Sequence, residues 1–264
     1  MNAPVGGLLG GARIVNGLSA RDVARLAGVS ASTVTRVEQG AFPKVSYDVV
    51  IRLLEANDIG PDLRPLSRPS AITAARALLG DSVERPVDYD RWVDRWQKVR
   101  VLDDDARIRD YRKLAVLAGR SAPLFDRPGS VAVQRTIDWM EAGRRLTAAG
   151  VEWANTGDSA ANRLSLYADQ PLPTFYVENI QASVDALNCP IPIPTEPGPR
   201  ITLIPFDGAS ELGRWCETGG ETAGMWYAAP WQVVMDCFGG VDRMLLQAER
   251  ILDGWEFRLS GDVE

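Results

Sequence analysis

The sequence predicts a mainly α chain with an α/β carboxy-terminal part. Three observations carry this: helical apolar spacing with capping residues through the first half, a proline-rich break near residue 60, and short alternating strand and helix patterns after residue 129. The 264 residues divide into an all-α domain over 1–60, a linker and helical connector over 61–128, and an α/β domain with a small sheet over 129–264. Hydrophobic residues at 45% and charged residues at 24% are the balance of a globular chain able to bury a core. No apolar run reaches the roughly 20 residues of a membrane helix, and residues 1–16 have no basic leader, so a soluble, cytoplasmic protein with no membrane partner is expected.

Histidine is absent, which excludes Ser-His-Asp and Cys-His nucleophiles and every His-containing metal motif. Cys189, Cys216 and Cys237 are odd in number and lack CxxC spacing, so they read as reduced, part-buried thiols; neither a disulfide framework, a metal nor any other cofactor is expected. The net charge of −6 is unevenly spread: +1 over 1–60, +3 over 61–128 and −10 over 129–264. Phosphate repels the acidic half, so a nucleic-acid partner belongs to the first half.

The elements follow in order. Ser19 is a good N-cap for a helix whose Val23, Leu26 and Ala27 share a face. Gly28 permits the left-handed backbone that ends it, and Ser30 caps a second helix with Val34 and Val37 inward. Ala24 is small where the two helices cross, as a helix-turn-helix requires. Ser46 caps a third amphipathic helix carrying Val49, Val50, Leu53 and Leu54. On Ala24, Gly28, Val34 and Val37, residues 5–60 resemble the DNA-binding domain of the Cro and phage-repressor (XRE) family.

In that geometry the second helix enters the major groove by its N-terminal part, with Ala31, Ser32, Thr35 and Arg36 outward. Arg36 is the base reader, because a guanidinium pairs bidentately with guanine; a surface pair with Glu38 or Asp22 is the competing reading. Ser32 and Thr35 support it, Ser30 and Thr33 cap the helix or contact phosphate, and Arg21 and Lys44 add backbone charge. Family members commonly carry a long polar residue at the position of Ala31, so this chain is expected to read fewer bases. With so little positive charge a single module binds weakly, and a homodimer on double-stranded operator DNA, its half-sites about one helical turn apart, is expected.

Residues 57–70 hold three prolines and mark the boundary. Helices are expected over 71–79 and 89–101, the latter with Trp92 and Trp96 as core, and over 103–117, started by Asp103, Asp104 and Asp105. This connector is a candidate dimerisation element. Beyond it the patterns give a helix over 131–149, a strand over 151–155, a helix over 159–168 capped by Asp158 or Ser159, a strand over 174–178, a helix over 180–187, a proline-rich loop over 190–199, and strands over 201–206 and 225–228. Pro230 opens a helix that Gly239-Gly240 ends, and 241–252 forms another with Met244, Leu245, Ala248, Ile251 and Leu252 inward.

Residues 153–161 (Trp-Ala-Asn-Thr-Gly-Asp-Ser-Ala-Ala), 174–178 (Thr-Phe-Tyr-Val-Glu), 201–205 (Ile-Thr-Leu-Ile-Pro) and 228–236 (Ala-Ala-Pro-Trp-Gln-Val-Val-Met-Asp), followed by Gly239-Gly240, Arg243 and Gln247-Ala248-Glu249, resemble the C-terminal domain of AbiEi-type antitoxins. The resemblance covers about residues 130–252. It implies the antitoxin of a type IV toxin-antitoxin system that represses its own operon and counters a nucleotidyltransferase-like toxin, often in phage defence. Much of that family carries a winged helix where this chain carries a repressor-type helix-turn-helix. Catalysis is not expected: Gly129-Ser130 is followed by Asp138 with no second acid at Asp-x-Asp spacing, and Gly219-Gly220 lacks the lysine of a phosphate loop. The alternative is a regulator without a toxin, whose C-terminal domain senses a small molecule or a protein.

Overall fold

The computed structural model describes residues 5–40, 45–60, 66–165, 172–190, 199–241 and 243–261. A helical amino-terminal region with a helix-turn-helix is followed by helices and a six-stranded mixed sheet. The first region holds α1 (Val5–Val15), α2 (Ala20–Ala27), α3 (Ala31–Glu38) and α4 (Tyr47–Ala56). Ser46 caps α4 as expected, its hydroxyl accepting the Val49 amide at 3.3 Å. α1 has no sequence signature, because four of its eleven residues are glycine, the poorest helix former after proline. Tertiary contact explains it. A Cβ on Gly6 would lie 2.3 Å from the Val37 carbonyl oxygen, so α1 crosses the end of α3 at a distance only glycine allows.

The middle segment forms α5 (Ser70–Leu78), α6 (Tyr89–Lys98) and α7 (Tyr111–Arg120). Trp92 and Trp96 are core residues, 5.6 Å apart between ring centroids. The helix expected over 103–117 is corrected. Asp103 begins a turn, its carboxylate accepting the amides of Asp105 (3.0 Å) and Arg107 (2.8 Å), and Leu102 bridges Ile108 across it. α7 starts only where Asp110 caps it through the Lys113 amide. A carboxylate that can bond a nearby amide stabilises a turn as readily as a helix start.

The sheet runs in the order β1 (Val131–Gln134), β4 (Arg200–Pro205), β3 (Thr174–Val177), β2 (Trp153–Thr156), β6 (Trp226–Tyr227), β5 (Trp215–Cys216). Its pairs β1/β4, β3/β2 and β6/β5 are antiparallel, and β4/β3 and β2/β6 are parallel. β2 and β3 are buried at every residue, so both faces are covered. α8 (Trp139–Ala148) and α10 (Ile180–Leu187) pack together, α8 on β2 and α10 on β4. α9 (Gly157–Leu164), α11 (Pro230–Phe238) and α12 (Arg243–Gly261) pack together, with α9 and α11 against β2.

Two expectations in this half are corrected. The helix over 131–149 is strand β1 followed by α8: Val131 and Val133 pair with Leu203 and Ile201 of β4, and Asp138 caps α8 by accepting the Glu141 amide at 2.8 Å. The helix expected over 159–168 starts at Gly157, and its N-cap is Thr156 without a side-chain bond, neither Asp158 nor Ser159. Strand β5 has no sequence signature, being two residues long. The loop expected over 190–199 lies almost wholly outside the described residues. Pro230 occupies the first turn of α11 as expected, and the three cysteines are free thiols.

The middle helices are fastened to this layer. α7 crosses α11 where a Cβ on Gly119 would lie 2.2 Å from the Met235 carbonyl oxygen. Buried Arg76 of α5 donates to the carbonyls of Ala209 (2.7 Å) and Leu212 (2.8 Å) and to Gln232 (3.2 Å), and pairs with Asp81 at 2.7 Å. Asp58, just after α4, is buried against Arg95 (3.1 Å) and Arg68 (3.4 Å). The buried residues from Leu9 to Leu252 form one contiguous cluster.

Candidate nucleic-acid interface

The interface is built from α2, the turn at Gly28 and α3. Ser19 and Asp22 cap α2 reciprocally: the Ser19 hydroxyl accepts the Asp22 amide at 3.2 Å, and the Asp22 carboxylate accepts the Ser19 amide (2.9 Å) and hydroxyl (2.7 Å). Burial pushes the Asp22 carboxyl up. The bonds from Ser19, the charge of Lys113 and the bond from Arg25 outweigh it and hold the group below its usual range. Gly28 closes α2 in the left-handed conformation, φ +65°, its amide donating to the Ala24 carbonyl. Arg52 of α4 donates to the Ala27 carbonyl at 2.9 Å, satisfying a second end group of α2. Ala24, Val34 and Val37 are buried where α2 meets α3.

Ser30 caps α3 by accepting the Thr33 amide at 3.1 Å, and its hydroxyl lies 2.8 Å from those of Ser32 and Thr33. The far end of α3 is held by α1, through the bidentate Arg13–Glu38 pair at 2.6 and 3.1 Å. Between these anchors Ser32, Thr35 and Arg36 are exposed, and Ala31 and Thr33 are half-buried. The Thr35 hydroxyl donates back to the Ala31 carbonyl at 3.2 Å. Arg21 is exposed on α2, and Lys44 lies outside the described residues.

The carboxylates that could have neutralised Arg36 are taken, Asp22 by Arg25 (2.7 Å) and Glu38 by Arg13. Among the described residues no ion pair engages Arg36. The structure therefore brings Ser32, Thr33, Thr35 and Arg36 onto one short helix capped by Ser30, with Arg21 on the helix before it. The positioning residues Asp22, Arg13, Glu38 and Arg52 are the ones sequence reasoning missed. Asp22, three residues after Ser19, had a local signal; Arg13–Glu38 and Arg52–Ala27 each join residues 25 apart and had none.

A second polar constellation lies deep in the sheet layer. Asp236 of α11 accepts from Arg127 (2.6 Å), Thr156 (2.5 Å), Tyr176 (3.0 Å) and Gln232 (3.0 Å), all fully or nearly fully buried. Burial pushes both Asp236 and the Tyr176 hydroxyl up against the pull of Arg127, so Tyr176 stays a donor. Asp158 of α9 is likewise occupied, by Arg243 at 2.8 Å and the Leu172 amide at 3.0 Å. With its lone pairs turned to protein donors and no solvent contact, Asp236 is built to hold α11 to the sheet. Among the described residues no three His, Cys, Asp or Glu side chains gather to hold a metal, and no helix is long and apolar enough to cross a membrane.

Residues 5–66 match the family of helix-turn-helix domains. No curated protein and no solved structure matches the chain. The match covers the four helices α1 to α4 and ends within the proline-rich segment 57–70, so the amino-terminal region is a helix-turn-helix module of the kind DNA-binding regulators carry.

Proposed function

We propose that this chain is a sequence-specific DNA-binding transcriptional repressor that acts as a homodimer on operator DNA, with Arg36 as its principal base-reading residue. The observation that carries this is an exposed guanidinium on the second helix of a helix-turn-helix, flanked by Ser32 and Thr35, while both nearby carboxylates serve other arginines. Ser30 and Thr33 form a hydroxyl cluster at the start of α3, where its amides favour a phosphate. Arg21 and Lys44 supply backbone charge, and the strongly acidic residues 129–264 stay clear of the duplex.

The finer reading makes this the antitoxin of a type IV toxin-antitoxin or phage-defence operon that represses its own promoter, with a nucleotidyltransferase-like toxin as the second partner. It is supported by the resemblance of residues 130–252 to AbiEi-type antitoxins, whose quoted motifs contribute Thr156, Tyr176, Gln232 and Asp236 to one buried cluster. In this reading the sheet layer works by binding and is not an enzyme, which fits the saturation of Asp158 and Asp236 by protein donors.

The test is footprinting on the chain's own promoter, followed by titration of Arg36→Ala at fixed salt. Arg36→Ala is expected to lower operator affinity about tenfold or more and to leave affinity for random DNA nearly unchanged, since a bidentate guanine contact is worth about 1–3 kcal/mol. Equal affinity of wild type and variant for the operator overturns the assignment.

A further inference from the structure

The chain has eight tryptophans, and Trp92, Trp96 and Trp153 are sealed in the core. Three others, Trp215 of β5, Trp231 of α11 and Trp255 of α12, are only half-buried, and all three line one open cleft of about 600 Å³. That volume lies within the range of small-molecule sites. Indole has the largest apolar surface of any side chain, so three of them gathered part-exposed in one concavity mark a surface that something else covers.

The rings are braced from behind. Tyr227 stacks on one face of Trp215, with centroids 4.6 Å apart and 20° between planes, so Trp215 offers the cleft its other face or its edge. Trp231 and Trp255 meet edge to face at 4.7 Å and 79°, and Tyr111 supports Trp231 at 6.2 Å and 73°. The cleft also contains a carboxylate, that of Asp81 in the turn after α5. Arg76 Nε donates to its Oδ2 at 2.7 Å, and the other donors of Arg76 are fixed on the Ala209 and Leu212 carbonyls and on Gln232. A buried, fully engaged guanidinium therefore orients Asp81, whose Oδ1 has no hydrogen-bond partner among the described residues.

Charge around the rings selects the sign of the ligand. Arg163 also lines the cleft, but Glu217 meets its guanidinium at 2.5 Å. Behind Trp231, Tyr111 donates to Glu256, and Arg112 is shared by Glu249, Asp253 and Glu256. With Arg76 and Asp81, three arginines thus stand among five carboxylates, an excess of negative charge beside three indoles. The face of an aromatic ring attracts a cation, and indole does so most strongly. A bare metal ion would find one carboxylate here and few other oxygens, whereas an ammonium whose charge is spread over methyl groups suits apolar walls. We infer that this cleft binds an organic cation of the quaternary ammonium class, its charged head held by the indoles and Asp81. The site does not depend on the DNA-binding reading above.

The test is a ligand-observed NMR titration of the full chain without DNA, at fixed ionic strength, with choline and with 3,3-dimethylbutan-1-ol. The alcohol puts carbon in place of the ammonium nitrogen and keeps the shape and the hydroxyl. Saturable binding of choline is expected, at least about fivefold tighter than that of the alcohol. Trp255→Leu and Trp215→Leu keep an apolar side chain at half-buried positions and should retain the fold, checked by thermal unfolding. Each should weaken choline about fivefold or more and narrow its preference over the alcohol, whereas a merely structural role would weaken both probes alike. Asp81→Asn keeps an acceptor for Arg76 and should weaken choline about threefold or more without affecting the alcohol. Absence of saturable choline binding, equal affinity for the two probes, or undiminished choline binding in the tryptophan variants or in Asp81→Asn overturns the site. A wild-type dimer that dissociates in Trp255→Leu, with choline bound by neither protein, assigns the cleft to a second copy and also overturns it.

Discussion

The helix-turn-helix and the sheet layer solve the same problem, holding polar side chains in fixed positions, by opposite means. In the first, short-range bonds do it: Ser19 with Asp22, Gly28 with Ala24 and Ser30 with Thr33 are three or four residues apart, and their products are exposed side chains ready for a partner. In the second, Arg127, Thr156, Tyr176, Gln232 and Asp236 come from four elements or loops and meet out of solvent, with every donor turned inward. The contrast teaches where to look for function. Polar groups whose partners lie outside the chain point to binding, and polar groups that satisfy one another point to architecture.

The largest effect expected from this contrast is in the buried cluster. Arg127→Met leaves Asp236 charged and without its cation, and should destabilise the chain by about 3–5 kcal/mol in equilibrium denaturation. Pairing it with Asp236→Leu should recover part of that loss, because removing both charges costs less than stranding one. A single-variant loss below about 1 kcal/mol, the range of an exposed pair, would erase the distinction between the two regions.

A smaller effect is expected at the cap of the recognition helix. Ser30→Ala removes the acceptor of the Thr33 amide and should cost about 1 kcal/mol of stability. It should also weaken DNA binding at all sequences alike, unlike Arg36→Ala, because a cap and a phosphate contact carry no base information. A sequence-dependent loss would make Ser30 a base reader and sharpen the interface differently.

The smallest effect is a pH dependence. The folded Asp22 carboxyl lies below its unfolded value, so its contribution is present above the ordinary carboxylate range and is lost as pH falls through the folded value. Asp22→Asn should therefore flatten the acid limb of the stability curve, compared by thermal unfolding across that range, and leave neutral-pH differences small. An unchanged acid limb would show that the Ser19–Asp22 cap is replaced by solvent without loss.

Legibility followed the range of the interactions. α2, α3, α4, α10 and the start of α11 were readable because a cap, a glycine or a proline sits within a few residues of the apolar stripe it punctuates. α1 was not, since its glycines argue against a helix until Val37 and Glu38 are placed beside Gly6. The short strand β1 merged into the helix after it because its partner β4 is some 70 residues away and supplies the pairing that decides its conformation. At the interface the presented residues, Ser32, Thr35 and Arg36, could be named from helical spacing, while freedom of Arg36 depended on which arginines Asp22 and Glu38 would choose.

Composition and spacing alone determined that the chain has no histidine chemistry, that its phosphate-compatible charge lies in the first half, and that two short helices meet at a left-handed glycine. These follow from residue identity and from periods of a few residues, which a folded environment does not change. The order of the six strands and the closure of Asp236 were decided by tertiary structure. Each is a relation between segments tens to more than a hundred residues apart, and only the simultaneous burial of their apolar faces selects among the many pairings that local propensity allows.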